Sequence, residues 1–106
     1  MDKFAALADP NRRRMVAMIA EHGALAVKDI RDEFAISPPA VSQHLKVLRE
    51  AKIITMEKRA QQRIYRINPK GIDEMQDWLS QMRQFWNERF DALDDVLKED
   101  MQNRNE

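Results

Sequence analysis

Cysteine is absent from this chain of 106 residues, and histidine occurs only at His22 and His44. Without a thiol, disulfides, thiolate nucleophiles and cysteine-based metal sites are excluded. Neither histidine has a nucleophile or an orienting carboxylate at a catalytic spacing, so the sequence supports an enzymatic function less well than a binding function. We expect no catalytic residue, no cofactor and no metal site.

Long apolar segments are missing as well. No run approaches the roughly 20 residues that cross a bilayer, and the first residues lack a signal sequence with a hydrophobic centre. We therefore expect no membrane partner and a cytoplasmic location. The hydrophobic fraction is nevertheless 43%, which is enough to bury a core, and the length suits one compact domain over residues 1–106.

The net charge of zero conceals a division along the chain. Residues 1–70 hold 14 Lys and Arg against 8 Asp and Glu, a net charge of +6, whereas residues 71–106 hold 4 against 10, a net charge of −6. A basic part attracts phosphate groups and an acidic part is repelled by them. This division predicts that only the first part faces a nucleic acid.

Prolines mark the starts of three predicted helices, because each follows a residue whose side chain can cap a helix. The pairs are Asp9-Pro10, Ser37-Pro38 and Asn68-Pro69. Gly23 ends the first of these helices, a short helix precedes it, and another short helix follows it. Residues 53–68 have two apolar, strand-like runs on either side of a polar segment, which predicts a β-hairpin with a basic tip. The fold class is thus mainly α with a small β-hairpin, in the order of a winged helix-turn-helix with a long C-terminal helix.

The helix that follows Ser37 has the pattern of a DNA-recognition helix. At about 100° per residue, Val41, Leu45 and Leu48 share an inward side, and polar side chains lie opposite. An amphipathic surface helix of any kind would show the same division. The candidate DNA-binding residues of this segment are Ser37, Pro39, Ser42, Gln43, His44, Lys46 and Arg49.

His44 lies at the edge of the apolar stripe, so three roles stay open for it. It is a partly buried structural residue, a phosphate contact or a pH sensor. The hairpin supplies a second group of candidates that would lie along a neighbouring backbone or in a minor groove. They are Lys58, Arg59, Gln61, Gln62 and Arg63. Arg12 and Arg14 are expected to contact phosphate, although solvation alone would also explain them.

Two stretches of the chain resemble the arsenical-resistance-repressor (ArsR/SmtB) family. They are Leu7-Ala8-Asp9-Pro10-Asn11-Arg12-Arg13-Arg14-Met15 and the segment Ser37-Pro38-Pro39-Ala40-Val41-Ser42-Gln43-His44-Leu45-Lys46-Val47-Leu48-Arg49-Glu50-Ala51. The resemblance implies a homodimeric repressor that binds a palindromic operator, is often autoregulatory and is released by a signal. It places the recognition helix at Pro38 to Glu50 and the wing at Glu57 to Tyr65.

The chain departs from the family pattern at the metal site. The family's sensing helix carries two cysteines around a valine, whereas Ala26 and Lys28 flank Val27 here. The family's second zinc site needs histidines on the last helix, and none follows His44. The resemblance therefore implies a subgroup that does not sense metal. The wing turn, often glycine in the family, is Ala60, which favours a longer loop over a tight turn.

The helix from Pro69 to about Met101 carries an apolar stripe too long for one small domain to cover. We expect residues 1–8 and 69–101 to form an isologous dimer interface. Its candidate residues are Phe4, Leu7, Leu79, Met82, Trp86, Phe90, Leu93 and Leu97. The alternative is a helix that breaks near Asn87 and folds back on its own domain.

These observations predict a homodimeric, sequence-specific repressor that acts on an inverted-repeat operator of double-stranded DNA. An unidentified small molecule or protein would supply the inducing signal. The principal alternative is a winged-helix module that binds a protein or a ligand without reading DNA. The basic wing favours the first prediction.

Overall fold

A computed structural model describes the backbone of residues 1–104 and the side chains of residues 1–103. The elements are α1 (Lys3–Ala6), α2 (Pro10–His22), β1 (Leu25–Ala26), α3 (Val27–Asp32), α4 (Pro38–Glu50), β2 (Ile54–Arg59), β3 (Gln62–Ile67) and α5 (Pro69–Arg104). This order confirms the predicted winged helix-turn-helix. The chain forms two compact units, one from Met1 to Met75 and a second that starts at Gln76. The expectation of one domain over residues 1–106 stays a prediction.

The predicted helix starts are confirmed. Asp9 Oδ1 accepts hydrogen bonds from the backbone N–H groups of Asn11 at 2.8 Å and Arg12 at 3.1 Å, which caps α2. Ser37 Oγ accepts from the N–H of Ala40 at 3.3 Å and caps α4. Each cap satisfies donors that have no partner inside the helix. At its other end, α2 stops at Gly23, whose φ of 80° favours glycine.

The sheet has three antiparallel strands in the order β1-β3-β2. The sequence predicted only the hairpin of β2 and β3, and β1 is an additional strand. Leu25 of β1 lies opposite Tyr65, and Ala26 lies opposite Ile64. A strand of two residues is too short to show the alternation that identifies strands in a sequence.

The wing turn differs from the prediction of a longer loop, which was wrong. Arg59 pairs directly with Gln62, so the turn contains only Ala60 and Gln61. Ala60 has a φ of 54°. A two-residue turn matches the twist of a hairpin when its backbone adopts positive φ. This conformation costs conformational free energy for any residue with a Cβ. The pairing of β2 with β3 therefore imposes a positive φ on Ala60, although alanine prefers negative φ values.

The core of the first unit lies between the helices and the sheet. Its fully buried large side chains come from α2, α3, α4, the first residue of β2 and the residue before it. They are Met15, Ile19, Ile30, Val41, Leu45, Leu48, Ile53 and Ile54. The predicted inward side of α4 is thus confirmed, and burial of this side determines which α4 residues face outward.

The end of α4 is held against the start of α5. Lys52 has a φ of 62°, and the N–H groups of Lys52 and Ile53 donate to Arg49 and Leu48 in a helix-ending motif that usually contains glycine. Asn68 Nδ2 donates to the Lys52 carbonyl at 3.0 Å. A Cβ added at Gly71 would collide with the same carbonyl oxygen. This junction fixes where α4 stops.

From Gln76 onward the chain continues α5 as one helix through Asn87, without the break that the fold-back alternative required. Its large apolar side chains are exposed within the described chain, Trp86 at 61% and Leu93 at 53%. The rings of Trp86 and Phe90 meet edge to face at 5.1 Å between centroids. None of the described helices is both long enough and apolar enough to cross a membrane.

Candidate nucleic-acid interface

The outward side of α4 and strand β3 enclose an open groove of about 380 Å³. The helix supplies small and polar side chains to it, and the strand supplies one cation and one ring. The lining residues are Pro39, Ser42, Gln43, Lys46, Arg49, Arg63 and Tyr65. Six of them were predicted from the sequence as DNA-binding residues, and the fold brings these six together.

Hydrogen bonds and ion pairs hold some of the α4 side chains in place. Ser42 Oγ accepts from Arg31 Nη2 of α3 at 3.3 Å. Lys46 Nζ lies 4.0 Å from Glu50 Oε1 one turn along the helix, and both side chains are exposed. A pair of this kind is weak and gives way readily to a stronger anion. Gln43 is exposed at the centre of the outward side, and its amide can both donate and accept.

Two predicted residues of this segment lie apart from the groove. Ser37 uses its hydroxyl to cap α4, so it positions the helix. His44 lies on the flank of α4 that faces α2, where its Nδ1 is 3.3 Å from Arg12 Nη1. It is half buried. Both residues were predicted to contact DNA, and that role stays a prediction.

The two faces of the wing carry different charges. Lys58 lies directly opposite Arg63, on the face that includes the Met56 and Tyr65 pair. Like charges at opposed positions repel. Among residues 1–103, neither Lys58 nor Arg63 lies within ion-pair distance of a carboxylate. These two cations are therefore available to an external anion.

On the other face of the wing, one carboxylate contacts two arginines and balances part of their positive charge. Glu57 accepts from Arg59 Nε at 3.2 Å and from Arg66 Nη1 at 2.8 Å. The hydrogen bond from Arg59 and then that from Arg66 hold the pKa of the Glu57 carboxyl below its usual value. Arg59, a predicted DNA contact, is thus engaged by a carboxylate. Gln61 and Gln62 are exposed beside Lys58 and Arg63 at the tip.

The two arginines predicted as phosphate contacts both brace the fold. Arg12 Nε donates to the Ala6 carbonyl at 2.6 Å. Arg14 Nη2 donates to the Glu33 carbonyl at 3.0 Å, and its guanidinium lies 4.6 Å from the centre of the Phe34 ring. Each guanidinium has further N–H donors that could bind a phosphate, so the predicted phosphate contacts of Arg12 and Arg14 stay predictions.

Four residues that support or line the candidate site were not among the site residues predicted from the sequence. Arg31 holds Ser42, Glu57 and Arg66 form the ion pairs of the wing, and Tyr65 lines the groove. Glu57 and Arg66 are not neighbours in sequence, and only the strand register aligns them. Tyr65 is only 5% exposed, so most of its ring is packed within the core of the first unit.

No cluster of three or more histidine or carboxylate side chains with the geometry of a metal site occurs in the part of the chain that the structure describes. Ala26 and Val27, which take the place of the family's metal-binding segment, lie at the junction of β1 and α3. The described residues also contain no buried polar or charged side chain.

Known proteins share this arrangement. A helix-turn-helix domain family matches residues 7–57. The HTH-type transcriptional regulator Rv2034 of Mycobacterium tuberculosis is 38% identical over 83 residues, which are 78% of this chain and 74% of that protein. The arsenic resistance transcriptional regulator ArsR1 of Pseudomonas putida is 38% identical over 88 residues, with 73% of this chain and 69% of that protein covered. The chain belongs to the ArsR family.

Other ArsR-family similarities support the same fold and class. A crystal structure of an ArsR family transcriptional regulator superposes with a TM-score of 0.72 at 25% identity, covering 79% of this chain and 86% of that one. The transcriptional repressor SdpR of Bacillus subtilis is 30% identical over 76 residues, covering 72% of this chain and 83% of that protein. These relatives are named as transcription regulators rather than as enzymes. The chain is accordingly a helix-turn-helix transcriptional regulator.

Proposed function

We propose that this ArsR-family chain is a repressor that binds a palindromic DNA operator as a homodimer, with α4 in the major groove and the wing on the neighbouring backbone. The observation that carries the proposal is the groove beside α4. Polar side chains of the recognition helix line it together with Arg63 of the wing. One surface thus combines groups that read bases with a cation that binds phosphate.

The outward side of α4 suits the major groove. A helix of 13 residues presents about three turns, and Gln43 stands at the centre of its exposed side. A glutamine amide can pair with the N6 and N7 groups of adenine, whereas Ser42 and Lys46 suit other base edges or phosphates. The α4 side chains in the groove would therefore supply the sequence-specific part of binding.

The wing suits the phosphate backbone. Lys58 and Arg63 repel each other in the free protein because they are opposed across the strands. A phosphate between or beside them would relieve this repulsion and release counterions. Arg59 is tied to Glu57, so Lys58 and Arg63 would contribute more to DNA affinity than Arg59.

The homodimer is supported by the apolar side of α5. From Gln76 onward, Leu79, Trp86, Phe90 and Leu93 are all at least half exposed in the described chain. An apolar stripe of this length is unusual on a monomer and is covered most simply by a second copy. Phe4 is 43% exposed and suits the same role, whereas Leu7 packs partly against the core of its own unit.

A pair of variants tests the proposal. Duplexes selected from a random pool by the wild-type chain provide the specific DNA. We expect Gln43→Ala to lose about 1 to 3 kcal/mol on selected DNA and little on random DNA, whereas Arg63→Ala should weaken both equally and flatten the salt dependence. Equal losses on both DNAs for both variants would contradict the proposal, whereas a wild-type chain that selects no duplex would favour a winged-helix module that binds a protein or ligand instead.

We also propose that the inducing signal is not a metal ion. No cysteine occurs in the chain, and thiolates are the ligands that arsenite and cadmium prefer. A small apolar molecule or a protein partner would supply the signal, or the chain would act by autoregulation alone. Zinc, cadmium and arsenite should leave the complex with selected DNA intact in a gel-shift assay. Release by stoichiometric, micromolar metal would contradict this proposal.

A further inference from the structure

Arg12 is anchored at three points around His44. Its backbone N–H donates to Asp9 Oδ1 at 3.1 Å, and its Nε donates to the Ala6 carbonyl at 2.6 Å. Its Nη1 then lies 3.3 Å from His44 Nδ1. The guanidinium is partly buried between α1 and α4, and these bonds fix its direction. His44 therefore meets a positioned donor rather than a mobile cation.

This contact determines where the imidazole carries its proton. A guanidinium has only donors and keeps its charge at any ordinary pH. The hydrogen bond therefore requires Nδ1 of His44 to be an acceptor, which leaves a neutral ring with its proton on Nε2.

The Nε2–H group of His44 has no hydrogen-bond partner among residues 1–103. His44 lies on the flank of α4 opposite the groove that the wing helps to form. A helix in the major groove lies between two phosphate backbones, and the wing would contact only one of them. His44, on the flank of α4 away from the wing, would lie nearer to the other backbone.

We propose that Arg12 is a positioning residue that holds His44 neutral, so that its Nε2–H binds a DNA phosphate on the flank of α4 away from the wing. The inference rests on the proposed function, because it needs α4 to enter the major groove. It separates two kinds of phosphate contact. Arg63 binds as a cation and displaces counterions, whereas His44 binds as an uncharged donor and displaces none.

Nuclear magnetic resonance of the free protein tests the tautomer. In ¹⁵N spectra at neutral pH, His44 should show an unprotonated Nδ1 and a protonated Nε2. Arg12→Lys keeps a cationic donor and should preserve this pattern, whereas Arg12→Met should shift it toward a mixture of tautomers. A loss of helical packing alone would not select one ring nitrogen. A protonated Nδ1 in the wild-type chain would overturn the proposal.

DNA binding tests the phosphate contact, with His44→Phe removing the donor and His44→Gln retaining one. His44→Phe should lower affinity about 3- to 10-fold on both selected and random DNA, and His44→Gln should lose less. The slope of log affinity against log salt should stay at the wild-type value, whereas Arg63→Ala should reduce its magnitude by about 0.9.

Three results would overturn the inference. An equal reduction of the slope in His44→Phe would show a cationic histidine. A loss confined to selected DNA would assign His44 to a base edge, and an affinity unchanged in His44→Phe would show no contact. A wild-type chain that fails to bind DNA in a salt-dependent way would refute the proposed function itself, while the tautomer measurement would still report on Arg12.

Discussion

At the scale of single residues, two backbone positions were invisible in the sequence. Gly71 occupies the first turn of α5, where nothing in the sequence distinguishes it from an ordinary helix residue. It is required because the Lys52 carbonyl occupies the space of its missing side chain. Lys52 itself adopts a positive φ without being glycine. Such demands arise from contacts between distant segments, which residue preferences do not encode.

We predict that Gly71→Ala destabilises the protein by about 1 to 3 kcal/mol, because the added methyl group must displace backbone. Helix propensity alone predicts the opposite, since alanine is about 1 kcal/mol better than glycine inside a helix. Gly23→Ala is the matched control. Nothing lies within 4 Å of its Cβ position, so its cost of about 1 kcal/mol comes from positive φ alone. Urea denaturation measures both, and a Gly71→Ala variant as stable as the wild type would contradict the tight junction.

Ala60 supports the opposite prediction. Its positive φ costs a residue with a Cβ about 1 to 2 kcal/mol. Glycine would avoid this cost, but part of the gain is lost because glycine has more conformational freedom in the unfolded chain. We expect Ala60→Gly to raise the free energy of unfolding by about 0.5 to 1 kcal/mol in urea. Gln61→Gly, next to it, relieves no positive φ and should destabilise. Equal effects at both positions would refute the two-residue turn.

At the scale of elements, the helices were predicted well and the sheet only in part. The starts of α2 and α4 follow from Asp9-Pro10 and Ser37-Pro38, because capping and proline geometry act within one turn. Strand β1 and the wing turn depend on register with β3, a contact between separated segments. The α4 side of the groove could therefore be predicted, whereas Arg31, Glu57 and Arg66 could not.

The ion pairs of the wing make the free energy of unfolding depend on pH. Because Arg59 and then Arg66 lower the pKa of Glu57 in the folded chain, the carboxylate stabilises the wing above the ordinary pKa of 4.5. This contribution is lost as pH falls through the lower, folded value.

The stability difference between the wild type and Glu57→Gln should therefore shrink as the solution is acidified below about pH 4. Glu88→Gln, at an exposed position on α5, is the control. Carbon NMR titration of the Glu57 carboxyl measures its pKa directly. A value at or above 4.5 would contradict the bridging of Glu57 by the two arginines.

At the scale of the whole molecule, the uneven charge and the exposed side of α5 indicate separate tasks for the two parts of the chain. Residues 1–70 carry a net charge of +6 and residues 71–106 a net charge of −6. The basic part contains α4 and the wing, whereas the acidic part contains the apolar stripe. DNA binding and self-association are therefore expected to respond to different substitutions.

Self-association is tested by replacing Trp86 and Leu93 with glutamate in one chain. Two buried negative charges per copy should prevent dimerisation, and each monomer should bind DNA weakly because it reaches only one half-site. The control places two glutamates at Asn87 and Gln102, which lie away from the stripe at about 100° per residue, and adds the same charge. Sedimentation should show monomers for the first variant and dimers for the control. Dimers in both would place the interface elsewhere.

The most direct test of the central claim is the affinity of the wild-type chain for selected and random duplexes across a range of salt concentrations. If α4 reads bases and the wing binds phosphate, the selected DNA should bind at least about 1,000-fold more tightly. The affinity for both DNAs should fall steeply as salt rises. Equal affinity for the two DNAs, or binding that does not respond to salt, would contradict a function in sequence-specific DNA recognition.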